Sequence, residues 1–156
     1  GLWQTTSSAP TGGTSVSSVG GTAGIKLDAS QFTVTVSGYI GKGLGTFLMF
    51  SGTGGGPIAA NGTTARPSDG GYAQVMYNVD PKNSVGFSWG FSRLKNDQTG
   101  DGNTGVRANW ASYTVGLYHQ WTKSLKLVVE GTKEEEGNGA GAPALTNVSV
   151  GLMLFY

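Results

Sequence analysis

The sequence predicts an all-β chain, a transmembrane antiparallel up-and-down β-barrel with about seven strands in this segment. Three observations carry that expectation. Apolar and polar residues alternate over much of the chain, most cleanly where Val85, Phe87, Trp89 and Phe91 are interleaved with Ser84, Gly86, Ser88, Gly90 and Ser92. That is the period of a strand with two unlike faces. Short turns at 30–31, 80–83 and 122–124 alternate with long polar loops at 5–21, 45–70, 96–107 and 134–144. Membrane barrels follow this rule of short turns on one side and long loops on the other, and soluble sandwiches do not. Aromatic residues (Phe32, Tyr77, Trp121, Tyr156) gather where strands meet short turns, the place of an interfacial girdle.

Composition bounds the alternatives. The chain has 156 residues, enough for one domain spanning 1–156, and only 12% of them are charged. No run of eighteen apolar residues occurs, which excludes a transmembrane helix. A barrel is not excluded, because its strands alternate lipid-facing and lumen-facing residues and average out as polar. The net charge of +1 gives no footprint for a nucleic-acid partner. Zero cysteines remove disulfides and thiolate metal sites. Gly1-Leu2-Trp3-Gln4 has neither the basic start nor the apolar stretch of a signal peptide, so the chain reads as mature or truncated.

Taken in order, Leu2-Trp3 reads as the stub of a strand, followed by the Ser/Thr/Gly stretch 5–21 as a loop. Ala23, Ile25, Leu27 and Ala29 then form one face of a strand. After Ser30-Gln31, Phe32, Val34, Val36 and Ile40 form the same face of its hairpin partner. The second hairpin sets Ala73, Val75, Tyr77 and Val79 against Val85, Phe87, Trp89 and Phe91 across Asp80-Pro81-Lys82-Asn83, a turn with Pro where a fixed φ is accepted. The third runs from Ala111 through Trp121, turns at Thr122-Lys123-Ser124, and returns with Leu125, Leu127 and Val129. The chain ends on TNVSVGLMLFY, where Val148, Val150, Leu152, Leu154 and Tyr156 share a face up to the last residue. Chain ends ordinarily fray in water, so an apolar face that runs to a terminal aromatic points to lipid and its interface.

Several of these stretches are similar to one family. ASYTVGLYHQWTKSLKLVVEGTKEE (111–135) resembles the penultimate hairpin of the general porins of Gram-negative bacteria. FTVTVSGYIGKGLGT (32–46) and GYAQVMYNVDPKNSVGFSWGFSRLKND (71–97) resemble earlier hairpins, and NVSVGLMLFY (147–156) resembles the closing strand. The resemblance implies a sixteen-stranded barrel in the outer membrane, a homotrimer that passes small hydrophilic solutes and ions by diffusion. It implies outer-membrane lipid, lipopolysaccharide and the barrel assembly machinery as partners, with no enzyme activity and no cofactor. The assembly signal would be Val148, Val150, Leu152, Leu154 and Tyr156. Terminal Phe is usual in the family; Tyr156 keeps the ring and adds a polar tip. Seven full strands plus a stub suggest the C-terminal part of such a barrel. The family's inward constriction loop would then lie in the other half. The alternative function is a small structural or adhesive barrel whose loops carry the activity.

By parity, the pore-lining candidates are Lys26, Asp28, Gln74, Ser88, Ser92, Tyr118, Lys126 and Glu130. Opposite charges nearly balance among them, so no strong ion preference follows. His119 shares parity with Leu117 and Trp121 and has no nucleophile beside it in sequence; we read it as structural. Gly41-Lys42-Gly43-Leu44-Gly45 lacks the spacing of a phosphate loop and reads as a strand exit. Asp97, Asp101 and Asn103 hint at a calcium loop, but Ala108 stands where the bidentate Glu belongs. Glu134, Glu135 and Glu136 read as an acidic rim, or as a place for divalent ions bridging to lipid phosphates. No metal site is expected.

Overall fold

The computed structural model describes residues 2–7, 15–44, 65–94, 109–136 and 144–156. Among them all regular structure is β, in eight strands: β1 (Leu2–Ser7), β2 (Ser15–Ala29), β3 (Phe32–Lys42), β4 (Pro67–Asn78), β5 (Asn83–Leu94), β6 (Asn109–Gln120), β7 (Leu125–Glu136) and β8 (Ala144–Leu154). They form one antiparallel sheet in sequence order. β1 and β8 do not pair, so the sheet is open. Among the described residues each strand contacts only its sequence neighbours, and nothing packs across from one end of the sheet to the other.

The turns set the register. Ala29 pairs with Phe32 across Ser30-Gln31, and Ser30 takes φ 53° to close so tight a connection. Between β4 and β5, the Asp80 carboxylate accepts from the Lys82 amide at 2.7 Å, the Asn83 amide at 2.9 Å and the Asn83 side-chain amide at 2.7 Å. This is an Asx-type turn, in which a short carboxylate replaces missing backbone partners. Between β6 and β7, the Trp121 amide donates to the Leu125 carbonyl at 2.9 Å, and Gln120 Nε2 donates to the Thr122 carbonyl at 2.6 Å.

With the register fixed, the pleat sorts the side chains. One row across the sheet reads Leu27, Val34, Val75, Phe87, Val115, Gly131, Val148. The neighbouring row, on the opposite face, reads Lys26, Thr35, Gln74, Ser88, Thr114, Thr132, Asn147. A sheet with one apolar face ordinarily buries it against a second layer. Here the only buried apolar side chains among the described residues are Leu94 and Val128, both on the polar face. Ile25, Leu27, Val115, Val150 and Leu152 are all exposed. The sheet is a wall without a core.

Some expectations are corrected. Residues 15–21 were expected in a loop but belong to β2, and β1 runs on to Ser7. Backbone pairing, of 15–20 with β1 and of 19–21 with β3, makes a strand of a Ser/Gly stretch with no side-chain periodicity. Glu134–Glu136 and Ala144 extend β7 and β8 rather than a loop. Trp121 lies past the end of β6, and β8 ends at Leu154, so Tyr156 stands beyond the strand and is fully exposed. One more bond, from the Phe155 amide to the Ser124 carbonyl at 2.8 Å, closes the ladder there.

The Asp80 turn gives a pH test. The Asn83 side-chain amide, then the Lys82 and Asn83 backbone amides, hold the Asp80 carboxyl below its ordinary value of 3.8. A lowered folded value means the contribution is complete above 3.8 and is lost as pH falls through the folded value. Asp80→Ala is expected to lower the urea midpoint at pH 7, with the gap to wild type closing in strong acid. Midpoints from titrations at both pH values check this.

Candidate functional site

The candidate site is the polar face. All eight pore-lining candidates lie on it: Lys26, Gln74 and Ser88 in one row, Asp28 and Glu130 in the next, with Ser92, Tyr118 and Lys126 in rows to either side. Their polar atoms are tied down locally. Lys26 Nζ lies 3.3 Å from Asp28 Oδ2, and Thr33 Oγ1 donates to Asp28 Oδ1 at 2.6 Å. Tyr118 Oη donates to Glu130 Oε1 at 2.6 Å. Lys126 Nζ sits 5.7 Å from the centre of the Phe155 ring, a cation over an aromatic face. Thr114 and Thr132 share a hydroxyl bond of 3.0 Å across β6 and β7.

Large side chains on this face lie along the wall rather than standing up from it. The Tyr118 ring leans back over Gly116; a Cβ there would meet Cε2 at 2.8 Å, and one at Gly86 would meet the same atom at 3.2 Å. Tyr39 lies over Gly70 in the same way, and its hydroxyl bonds Ser92. Alternation alone marked Tyr118 but passed over Tyr39. The signal was a cross-strand pairing of Tyr with Gly on the small-residue parity, visible only once register is known.

At the loop end, Gly43 takes φ +71°, its amide donates to the Arg66 carbonyl at 2.8 Å, and Ser18 Oγ donates to the Gly43 carbonyl at 2.8 Å. A side chain at Gly43 would collide with Ser18. The glycine stretch 41–44 is therefore a strand exit and its packing, as its spacing suggests; Gly45 lies outside the described residues. Ser18, Ser68, Ser92 and Arg66 are buried around this junction.

The apolar face is bounded at both ends. Arg93 pairs with Asp69, and Lys133 with Glu135 at 2.6 Å, near the loop end. Asn83 and His119 pair at 2.7 Å near the turn end, so His119 is a cross-strand partner there. Phe32 and Tyr77 stack at 4.8 Å beside the first turn, and Trp89 and Phe91 at 5.1 Å nearer the loops. The acidic triplet is split by the pleat: Glu134 points to the polar face and Glu135 to the apolar face, against Lys133. Glu136 shares the polar face with Glu134, and all three stand at the loop end of β7. Among the described residues no three His, Asp or Glu side chains group as a metal site needs. The hinted calcium loop, Asp97, Asp101 and Asn103, lies outside the described residues. A shallow depression on the apolar face, lined by Ala73, Val75, Phe87, Trp89 and Tyr113, offers no carboxylate or imidazole. Val148, Val150, Leu152 and Leu154 of the expected assembly signal are exposed along this face of β8.

No protein-family model matches the chain, and no curated protein or solved structure matches it significantly.

Gly116 and Gly131 are cross-strand neighbours of β6 and β7 on opposite faces, and they should respond oppositely to a side chain. Gly116→Val pushes into Tyr118 and is expected to cost about 1–3 kcal/mol, the usual range for overpacking. Gly131→Val meets nothing within 4 Å and is expected to be neutral or slightly stabilising. Urea unfolding in detergent micelles measures both.

Proposed function

We propose that this chain forms part of the wall of an outer-membrane porin, a water-filled channel for passive diffusion of small hydrophilic solutes and ions. The observation that carries the proposal is the uncovered apolar face of a sheet whose other face is polar and whose strands touch only their neighbours. In water such a face would be a large exposed apolar patch. In a bilayer it meets hydrocarbon, while the ladder satisfies the backbone.

The dimensions support the reading. On β5 the apolar stretch is bounded by Asn83 and Arg93. Ten residues span about 33 Å along a strand, or about 25 Å of membrane at a tilt near 40°, the height of a barrel's apolar band. The aromatic pairs fall toward its two edges. In hydrocarbon the free edges of β1 and β8 need partners, which points to a wider, closed barrel such as the sixteen-stranded one the porin resemblance implies. A narrow barrel with a filled interior would need side chains meeting across it. None do among the described residues, and Gly86, Ser88, Gly90 and Ser92 leave the middle of β5 low. This favours the pore over the structural or adhesive alternative.

In this reading the polar face lines the lumen, the apolar face meets lipid or a neighbouring subunit of a homotrimer, and the loop end meets lipopolysaccharide. The exposed face of β8 with Tyr156 is the segment that the assembly machinery reads; an unpaired strand edge can add to another sheet through its main chain.

Two arginine substitutions test it. Leu152→Arg is expected to cost about 2–4 kcal/mol in bilayers, the cost of a charge at mid-membrane on the lipid face. Ser88→Arg is expected to fold normally and to change conductance, because lumen water hydrates the charge. Unfolding in liposomes and single-channel recording measure the two effects; the reverse ranking would contradict the proposal.

A further inference from the structure

We propose that Glu130 is the residue by which this stretch of wall favours small monovalent cations over anions; the inference rests on the pore reading above. The argument is a charge census of the polar face. Lys26 and Asp28 neutralise each other at 3.3 Å. Lys126 lies toward the turn end with its ammonium over the Phe155 ring. Glu134 and Glu136 stand toward the loop end, in the rows of Ser112 and Trp110, and Arg66 is buried at that end. Glu130 alone sits at mid-height, sixth of the twelve residues of β7.

Glu130 is half-buried against the wall, and its charge stays on the polar face. Its cross-strand neighbours on this face are Gly116 and Ser149, so neither covers it. Its hydrogen-bond partner is the Tyr118 hydroxyl at 2.6 Å, a neutral donor. That bond fixes one carboxylate oxygen without cancelling the charge, and the Tyr118 ring, laid on Gly116 and Gly86, fixes the hydroxyl. A carboxylate held this way on a wet wall attracts cations and repels anions along the path. Lys26 cannot offset it, being paired on a strand far across the sheet.

The experiment records reversal potentials of the full chain in planar bilayers under a KCl gradient, for wild type, Glu130→Gln, Glu130→Lys and Glu134→Gln. Glu130→Gln keeps the shape and the hydrogen bond; circular dichroism and protease protection in liposomes confirm that each variant inserts. The wild type is expected to prefer potassium. The preference should fall about twofold in Glu130→Gln, as one charge several ångströms from the ion path in water allows, reverse toward chloride in Glu130→Lys, and change little in Glu134→Gln. Conductance with the same preference in wild type and Glu130→Gln would overturn this inference and leave the pore reading standing, as would an equal loss in Glu134→Gln. Absence of conductance from inserted wild-type protein would overturn both.

Discussion

The strict two-residue period of the strand is the constraint on which this structure depends. Every side chain is committed to one face by its position, and a slip of one residue would exchange the faces entirely. The sequence uses that rule in the second half of β2 and in β3 to β8, so an apolar row and a polar row lie one residue apart across those seven strands. No second layer receives the apolar side. In the proposed membrane setting, stability that a soluble domain takes from a buried core comes from the ladder itself and from the apolar medium outside.

The polar face shows what this costs and how it is met. With no interior to fill, large side chains have only the wall to pack on. Tyr39 lies across Gly70 of the next strand, Tyr118 across Gly116 of its own strand and Gly86 of the next, and they end in bonds to Ser92 and Glu130. Glycine in a strand ordinarily weakens it; at Gly70, Gly86 and Gly116 it supplies the recess that lets a ring stay flat. The same arrangement keeps the space in front of the wall open to water, and it holds the mid-height carboxylate in a defined place. Packing and the chemistry of the face are thus one feature.

Much of this was legible in the sequence. The hairpins and their short turns follow from alternation and from residues such as Asp80-Pro81, and the face of each candidate lining residue follows from parity. What failed did so for physical reasons. Residues 15–21 carry no side-chain period and become strand through backbone pairing, 15–20 with β1 and 19–21 with β3. The pleat sends Glu134 and Glu136 to one face and Glu135 to the other, a division that a run of like charges does not show by itself. The contact of Tyr39 with Gly70 depends on cross-strand register, which no single strand contains, whereas Tyr118 and Gly116 are two residues apart on one strand. The stem of the β3–β4 connection, where Gly43, Ser18 and Arg66 meet, brings together residues dozens of positions apart.

The most direct test of the account is to scan nitroxide labels along β5, from position 84 to 92, in liposomes, measuring collision with oxygen and with a water-soluble nickel complex. The account predicts strict alternation: 85, 87, 89 and 91 accessible to oxygen, and 84, 86, 88, 90 and 92 accessible to nickel. Nickel access on the odd positions, or a loss of the two-residue period, would contradict it.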